Sequence, residues 1–375
     1  MNRRQYIRCA GLATAAIAGC GGASIDPGTS TTATSSLPPD ATISGWPMRG
    51  NGPAHTAGVD STPTLEGTRR WEFQLPRQPQ TGPTVGGDII TIGTGQAVIA
   101  VSPDTGTELW RTELDAEITG QPIIHKGRVF VGTDELGLYG IDGRSGAISW
   151  QYSFDRDFDT HVNTPAVAGE RVMATVNGEA DTPTVLCVGQ ADGQRHWQAI
   201  VLEEPSDPVV ARDELFTYGV VQSVSSGEVL RQQSLSTDHT LPPAVTGSGV
   251  FIVEAGTRLH RLPQMGATPA WTVSVDRQSA TMPVVANDQV YLSGRAMDIE
   301  TGDTVFHLDT ETRCPPALTP GLGMLSRRQE AIAFDPETGD IRWTGDIPQV
   351  TRPKQPALTS TAAYVAAGDR LIAYE

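Results

Sequence analysis

Short runs of alternating apolar and polar residues, each bounded by a turn, recur along most of this chain. Residues 128–132, Arg-Val-Phe-Val-Gly, and 289–292, Gln-Val-Tyr-Leu, are two examples rich in β-branched and aromatic side chains. A period of two between turn residues is typical of β-strands. Because no segment has a sustained helical period, the pattern predicts an all-β protein.

A proline that precedes a small apolar strand returns at intervals of 33 to 43 residues. Its copies are Pro83, Pro122, Pro165, Pro208, Pro243, Pro283, Pro316 and Pro356. Later in most repeats come an apolar strand, a polar turn, a glycine and a tryptophan, most clearly over residues 98–110. Such a period indicates a repeat architecture, and four-stranded antiparallel sheets repeated radially form a β-propeller.

The number of repeats predicts how the ring closes. Eight proline strands imply eight blades, but the sequence stops at Glu375 with no outer strand left for the eighth blade. Residues 67–71, Gly-Thr-Arg-Arg-Trp, have the glycine-to-tryptophan spacing and precede the first proline strand. We therefore predict an eight-bladed β-propeller over residues 46–375, whose last blade is closed by the N-terminal strand.

The outer strand of most repeats carries one tryptophan. A place on outer strands, once per repeat, predicts packing between neighbouring blades rather than a platform for a ligand. The tryptophans expected to dock in this way are Trp71, Trp110, Trp150, Trp197, Trp271 and Trp343. Trp46 lies before the ring, and we expect it to cover one face of the propeller.

The first twenty residues predict an export signal and a lipid anchor. Arg3 and Arg4 open a charged start, and the apolar run that follows is too short to span a bilayer. The paired arginines resemble a twin-arginine export signal. Residues 17–20, Ile-Ala-Gly-Cys, resemble a lipobox in which Cys20 is lipidated. Residues 1–19 are thus predicted to be a signal peptide, and Cys20 to anchor the protein at the outer face of the cell membrane.

Residues 20–45 are rich in Ser, Thr, Gly, Ala and Pro and show no apolar period. A segment of this composition cannot bury enough apolar surface to order itself, which predicts a flexible tether. Of the four cysteines, Cys9 would leave with the signal and Cys20 would carry the lipid. Because the repeats place Cys187 and Cys314 in distant blades, we expect two buried free thiols rather than a disulfide.

The charge balance excludes one class of partner. The chain has 43 acidic and 27 basic residues, a net charge of -16, which argues against nucleic-acid binding because phosphate contacts need a Lys/Arg face. Lys126 and Lys354 are its only lysines, and arginine supplies the other cations. Strong acidity with arginine in place of lysine resembles proteins of salt-loving prokaryotes, so a haloarchaeal origin is expected.

No motif in the sequence points to catalysis or to a metal. The histidines form no close ligand pair, and there is neither a Gly-x-Ser-x-Gly elbow nor a phosphate-binding glycine loop. Residues 155–159, Asp-Arg-Asp-Phe-Asp, superficially resemble a calcium loop but lack the glycine and terminal glutamate of an EF-hand. The sequence therefore predicts no catalytic, cofactor-binding or metal-binding residue, and no cofactor.

Residues 100–110, Ala-Val-Ser-Pro-Asp-Thr-Gly-Thr-Glu-Leu-Trp, resemble the tryptophan-docking repeat of quinoprotein (PQQ-type) eight-bladed propellers. Residues 46–50, Trp-Pro-Met-Arg-Gly, are similar to the stretch that commonly precedes the first blade in that superfamily. The resemblance implies the fold and leaves the activity open, because the superfamily contains quinone-dependent dehydrogenases and non-enzymatic scaffolds. It also implies that an enzyme of this group would have adjacent cysteines and long insertions, and this sequence has neither.

A simpler analogue in the same superfamily is the propeller lipoprotein of the β-barrel assembly machinery. The sequence therefore favours a monomeric, lipid-anchored propeller at the cell surface that serves as a non-catalytic scaffold or binding platform for unidentified protein partners. Two alternatives stay open. One is a PQQ- or metal-dependent oxidoreductase that uses the central funnel, and the other is a solute- or polysaccharide-binding lipoprotein.

Overall fold

The computed structural model contains only strands, turns and irregular segments in the part of the chain that it describes. The described residues are 45–46, 63–134, 137–154, 161–177, 183–201, 206–217, 219–234, 241–275, 281–308, 314–350 and 352–375. Within these ranges, no helix is long and apolar enough to cross a bilayer.

The strands form eight antiparallel sheets, which confirms the predicted eight-bladed propeller. The first two strands of the chain belong to different sheets and are β1 (Gly45–Trp46) and β2 (Arg69–Gln74). Blade 1 contains β3 (Thr84–Gly86), β4 (Ile89–Thr94), β5 (Ala97–Val101) and β6 (Glu108–Glu113). Blade 2 contains β7 (Ile123–His125), β8 (Arg128–Thr133), β9 (Gly137–Asp142) and β10 (Ile148–Tyr152).

The next three blades repeat this order, with one inner strand split in two. Blade 3 contains β11 (His161–Val162), β12 (Ala166–Ala168), β13 (Arg171–Asn177), β14 (Thr184–Gly189) and β15 (Arg195–Ile200). Blade 4 contains β16 (Val209–Ala211), β17 (Glu214–Thr217), β18 (Val220–Ser223) and β19 (Val229–Gln232). Blade 5 contains β20 (Ala244–Thr246), β21 (Gly249–Glu254), β22 (Arg258–Leu262) and β23 (Trp271–Ser274).

The last three blades complete the ring. Blade 6 contains β24 (Val284–Ala286), β25 (Gln289–Leu292), β26 (Arg295–Asp298) and β27 (Thr304–His307). Blade 7 contains β28 (Ala317–Leu318), β29 (Gly323–Arg327), β30 (Glu330–Phe334) and β31 (Ile341–Asp346). Blade 8 takes β32 (Ala357–Leu358), β33 (Ala363–Ala367) and β34 (Arg370–Tyr374) from the end of the sequence.

The outer strand of blade 8 comes from the other end of the sequence, as predicted. Its sheet has the order β2-β34-β33-β32, and Trp71 of β2 lies opposite Ala373. The Glu375 carbonyl accepts hydrogen bonds from the backbone N–H groups of Glu66, Gly67 and Thr68 at 2.9–3.1 Å. Residues far apart in the chain are therefore joined by the same ladder that holds the other blades together.

The middle strands are buried on both faces because each blade lies between two others. Every residue of β5, Ala-Val-Ile-Ala-Val, is buried, whereas the outer strand β6 is mostly exposed. Clusters of buried side chains join consecutive blades, for example Trp110 of blade 1 with Tyr139 of blade 2. A single blade could not bury these faces alone, so the stability of each blade depends on its neighbours.

One strand has no counterpart in the other repeats. β1 pairs with β3, the innermost strand of blade 1, with Gly45 opposite Gly86 and Trp46 opposite Val85. It also contacts β32, the innermost strand of blade 8. The backbone of Trp46 therefore lies at the inner edge of the ring, a pairing that the sequence pattern did not predict.

In several blades an aspartate stabilises the tight turn between the third strand and the outer strand. The Asp142 carboxylate accepts hydrogen bonds from the backbone N–H and the hydroxyl of Ser145 at 2.9 and 2.7 Å. The Asp298 carboxylate accepts one from the N–H of Thr301 at 2.8 Å. These bonds hold the pKa of each aspartate below its ordinary value, as the Arg342 guanidinium does for the pKa of Asp335.

We expect acid to weaken this fold partly through these turns. A carboxyl whose pKa is lower in the folded state stabilises the fold above its unfolded pKa, and the contribution is lost as the pH falls through the folded pKa. A triple variant of Asp142, Asp298 and Asp335 to Asn should therefore lose less thermal stability between about pH 7 and about pH 3 than the parent. Equal losses in both proteins, measured by circular dichroism, would contradict this assignment.

Candidate functional site

The outer-strand tryptophans pack against the neighbouring blade in a repeated geometry. The indole N–H of Trp71 donates a hydrogen bond to the Pro103 carbonyl at 2.9 Å. Its ring lies on Gly106, where a Cβ would come within 2.6 Å of the ring. Gly106 has a φ of +69°, so glycine is required there both by the backbone and by the close approach of the ring.

The same contact occurs at most other junctions of the ring. The indoles of Trp110, Trp150, Trp197 and Trp271 each donate to a carbonyl of the following blade at 2.9–3.2 Å. Aromatic rings cover positive-φ glycines in the pairs Trp110–Gly146, Trp150–Gly193, Trp197–Gly227, Trp271–Gly302, Phe306–Gly339 and Trp343–Gly67. The last pair joins blade 7 to the turn that the N-terminal segment supplies to blade 8.

The junction between blades 4 and 5 departs from this geometry. Arg231 stands where the other outer strands have an aromatic residue, and it forms an ion pair with Glu214 of its own blade. The equivalent glycine of blade 5, Gly266, meets no ring, and the nearest atom to its Cβ position is the Gln232 carbonyl at 3.4 Å. Among the residues that the structure describes, no stacked aromatic ring therefore covers the glycine at this junction.

A broad depression of about 2140 Å³ lies at the end of the ring where the first and second strands of the blades are joined. The middle residue of the innermost strand lines it in blades 1 to 5. These residues are Val85, Ile124, Val167, Val210 and Val245. The turns that follow these strands form much of the remaining wall.

Two of these turns carry cations in a backbone conformation that favours glycine. Lys126 and Arg212 have φ values of +46° and +61°, at a turn where blades 1 and 3 have Gly87 and Gly169. The Lys126 ammonium pairs with Glu170 at 2.7 Å, and this hydrogen bond lowers the pKa of Glu170. Positive charge at the rim is therefore partly balanced by carboxylates, and the depression has mixed charge.

The quinoprotein resemblance can be tested against this depression. Among the described residues, no three His, Cys, Asp or Glu side chains come together as they do around a metal ion. Phe216 and Tyr364 are the aromatic residues in its wall, and both are buried within their blades. The docking tryptophans lie on outer strands against glycines, so none is placed to flank a planar cofactor. The described residues do not fit a quinone with its calcium ion.

The two cysteines of the ring, Cys187 and Cys314, are buried and form no disulfide, as the sequence predicts. Cys187 lies in β14 and is fully buried, and this burial raises the pKa of its thiol to about 12. A thiolate is the reactive form of cysteine, so a thiol with this pKa is almost entirely protonated at neutral pH.

We therefore expect Cys187 to resist thiol-specific reagents in the folded protein. In a Cys314→Ala variant that also lacks Cys9 and Cys20, labelling at about pH 8 should be slow until denaturant is added. The change in absorbance with a chromogenic disulfide reagent measures it. Rapid stoichiometric labelling without denaturant would contradict the burial of this thiol.

The residues predicted to export and anchor the chain lie outside the described residues. They are Arg3, Arg4 and Cys20, and their roles stay predictions. The calcium-like loop at residues 155–159 is also outside the described ranges. Sequence reasoning missed Lys126 and Arg212. A signal was available, since both residues stand at turn positions where other repeats have glycine.

A family model described as Outer membrane protein assembly factor BamB matches residues 57–217 and 217–326. The chain belongs to this family. Curated relatives in the BamB family include the Outer membrane protein assembly factor BamB of Yersinia pestis, which is 24% identical over 231 residues, or 55% of this chain and 56% of the relative. The protein of the same name from Nitrosomonas eutropha is 26% identical over 110 residues, 28% of this chain and 27% of the relative. The matches therefore span about half of the first relative and about a quarter of the second.

Solved structures similar to this BamB-family chain include a BamB protein and a quinohemoprotein alcohol dehydrogenase. BamB from Moraxella catarrhalis has a TM-score of 0.62 at 13% identity, covering 82% of this chain and 97% of that chain. A quinohemoprotein alcohol dehydrogenase from Comamonas testosteroni has a TM-score of 0.74 at 10% identity, covering 89% and 81%. At such low identity these similarities show the fold alone.

Proposed function

We propose that this chain is a lipid-anchored propeller outside the cytoplasm that acts as a non-catalytic scaffold for protein partners. Its membership of the BamB family is the observation that carries the proposal. The curated relatives are named as assembly factors for outer membrane proteins. For this chain we propose the scaffold role, and we name neither the partner protein nor the membrane.

The chemistry of the ring supports a binding role more than a catalytic one. The depression combines apolar strand residues with paired charges such as Lys126 and Glu170. Mixed polar and apolar surfaces of this kind suit contacts with protein. The oxidoreductase alternative has the fold in its favour, but the described residues do not supply a metal cluster or aromatic walls.

The lipid anchor is tested by Cys20→Ala in the organism of origin. The variant should appear in the medium or remain uncleaved, because a free N-terminus without acyl chains has little affinity for a bilayer. Membrane and soluble fractions are compared by immunoblot. Cys9→Ala is the matched control, since Cys9 lies in the predicted signal peptide and should leave membrane association unchanged. Continued tight association of Cys20→Ala would contradict the anchor.

The scaffold role is tested by chemical crosslinking of intact membranes, followed by purification of the full chain and mass spectrometry. We expect one or a few proteins to be recovered in amounts close to that of the chain itself. The same proteins should be lost when crosslinking is done after the membranes are dissolved in denaturant. Recovery of the chain alone from intact membranes would contradict a scaffold role.

A further inference from the structure

The junction between blades 4 and 5 differs from the others in its polar contacts. Each of the other seven junctions contains at least one hydrogen bond from one blade to the next. The donors are the indoles of Trp71, Trp110, Trp150, Trp197 and Trp271 and the hydroxyls of Tyr291 and Tyr374. No hydrogen bond or ion pair joins the described residues of blade 4 to those of blade 5. Within the described residues, this junction therefore depends on apolar contacts.

The apolar contacts between blades 4 and 5 suit a junction that has no docking ring. Val221 lies opposite Arg231 and packs in one cluster with Phe216 of its own blade and with Val250 and Ile252 of blade 5. Opposite the docking aromatic residue, other blades have a smaller residue, namely Ala100, Gly140, Cys187, Ala296, Ala333 and Ala373. A larger side chain in blade 4 thus takes part of the volume that a ring fills elsewhere.

The surface of this junction is also more open. Gly266 is exposed, whereas the seven glycines that aromatic rings cover at the other junctions are buried or half-buried. The turn that carries it is one residue longer, because five residues separate Gly266 from Trp271 and four separate Gly106 from Trp110. The contact that closes the outer part of the other junctions is therefore absent from the described residues here.

The junction between blades 8 and 1 lies on the opposite side of the ring, because four blades separate the two junctions in either direction. β1 pairs with β3 of blade 1 and contacts β32 of blade 8. Trp71 of blade 8 packs on Gly106 of blade 1, and the Lys354 ammonium donates to the Gln80 carbonyl at 2.6 Å. Blades 1 to 4 and blades 5 to 8 thus form two halves, joined by strands, a ring and hydrogen bonds on one side and by apolar contacts on the other.

We propose that the ring opens at the junction between blades 4 and 5, with the junction between blades 8 and 1 as the hinge. Local opening begins where the fewest interactions have to be broken, and among the described residues this opening breaks no hydrogen bond between blades. In a repeat architecture the stability is close to a sum of terms for single repeats and for neighbouring pairs. Loss of one pair of neighbours therefore leaves the contacts within each half in place.

Opening at this junction enlarges the depression. Phe216 and Arg231 of blade 4 and Val250 and Met265 of blade 5 line the depression, so it already reaches the junction. The chain leaves β19 and enters β20 at the other end of the ring, which leaves the two blades free to part at the depression. The open ring offers a partner protein apolar side chains that the closed ring buries. This last consequence rests on the proposed scaffold function, whereas the opening itself does not.

Thiol labelling measures the opening at one junction at a time. Val221→Cys reports on the junction between blades 4 and 5. Native Cys187 is the matched control, since it has the same place in its repeat at the junction between blades 3 and 4, and both positions are fully buried. Each thiol is tested in the full chain with the other native cysteines replaced by alanine. Circular dichroism shows whether each variant is folded.

Val221→Cys should react with a maleimide at least about tenfold faster than Cys187 in the absence of denaturant, because only its junction opens locally. Its rate should change little at low urea concentration, since the slope against denaturant follows the surface that is exposed and local opening exposes little. Ala373→Cys has the same place in the repeat at the junction between blades 8 and 1. It should react within about twofold of Cys187 or more slowly, as expected for a hinge that stays closed.

Three results would overturn the proposal. Equal rates for Val221→Cys and Cys187 would mean that the junction between blades 4 and 5 does not open first. A rate for Val221→Cys that rises with urea as steeply as global unfolding would mean that the whole ring unfolds instead. Labelling of Ala373→Cys as fast as that of Val221→Cys would rule out the hinge. None of these measurements involves a partner protein, so the scaffold role is tested separately by crosslinking.

Discussion

Deletion of residues 63–75 is expected to cost this protein most of its stability. The deletion removes β2, the outer strand of blade 8, and with it the Trp71 contact on Gly106 of blade 1. Truncation of a fully buried tryptophan costs about 3–5 kcal/mol, and the half-buried Trp71 should cost part of that, while a whole domain is stable by only about 5–15 kcal/mol. Thermal unfolding followed by circular dichroism should show a midpoint lowered by at least about 10 °C, or no cooperative transition.

A deletion of equal length provides the control. Residues 24–36 lie in the predicted tether, and their removal also shortens the chain by thirteen residues without touching a described strand. We expect this control to unfold at the same temperature as the parent. If the deletion of residues 63–75 also left the midpoint unchanged, the ring would not depend on the N-terminal strand and the closure of blade 8 would be wrong.

A valine at Gly106 should have the second largest effect. The φ of +69° is unfavourable for a β-branched residue, and a Cβ would lie 2.6 Å from the Trp71 ring. The strained backbone costs about 1–2 kcal/mol, and the overlap with a packed ring adds about 1–3 kcal/mol or displaces the indole. Chemical denaturation followed by tryptophan fluorescence measures the change in the free energy of unfolding.

A valine at Gly87 separates the backbone strain at positive φ from the clash with the tryptophan ring. Gly87 also has a positive φ, of +60°, but nothing lies within 4 Å of the position that its Cβ would take. Gly87→Val should therefore show the backbone cost without the clash, and Gly106→Val should be destabilised further by about 1–3 kcal/mol. Equal losses at the two positions would mean that the ring contact at Gly106 does not contribute to the stability of the junction.

The fold could be predicted from the sequence because its determinants recur at short spacing. A glycine in a tight turn and a tryptophan four or five residues later mark most outer strands, as in Gly106 and Trp110. The tryptophan then packs on the glycine of the next repeat, at Gly146, so the period of the sequence is also the period of the contacts. Closure followed from counting, since one outer strand was missing at one end and present at the other.

The features that could not be predicted depend on where separate loops meet. β1 is two residues long and has no repeat partner, so no periodic signal marks its pairing with β3. Lys354 donates a hydrogen bond to the Gln80 carbonyl, 274 residues away in the chain, and the closed ring brings the two residues together. Lys126 and Arg212 likewise line the depression at positive φ, which a sequence pattern does not reveal unless the turns are aligned by repeat.

We propose that this propeller acts through its surfaces and does not carry a quinone cofactor. The most direct measurement is a titration of the purified full chain with PQQ and calcium, followed by tryptophan fluorescence at low and at molar salt. Dye reduction on addition of an alcohol or a sugar is measured in the same samples. We expect no saturable quenching and no dye reduction at either salt concentration. Saturable binding at micromolar PQQ, with dye reduction when the alcohol is added, would contradict it and identify the chain as an oxidoreductase.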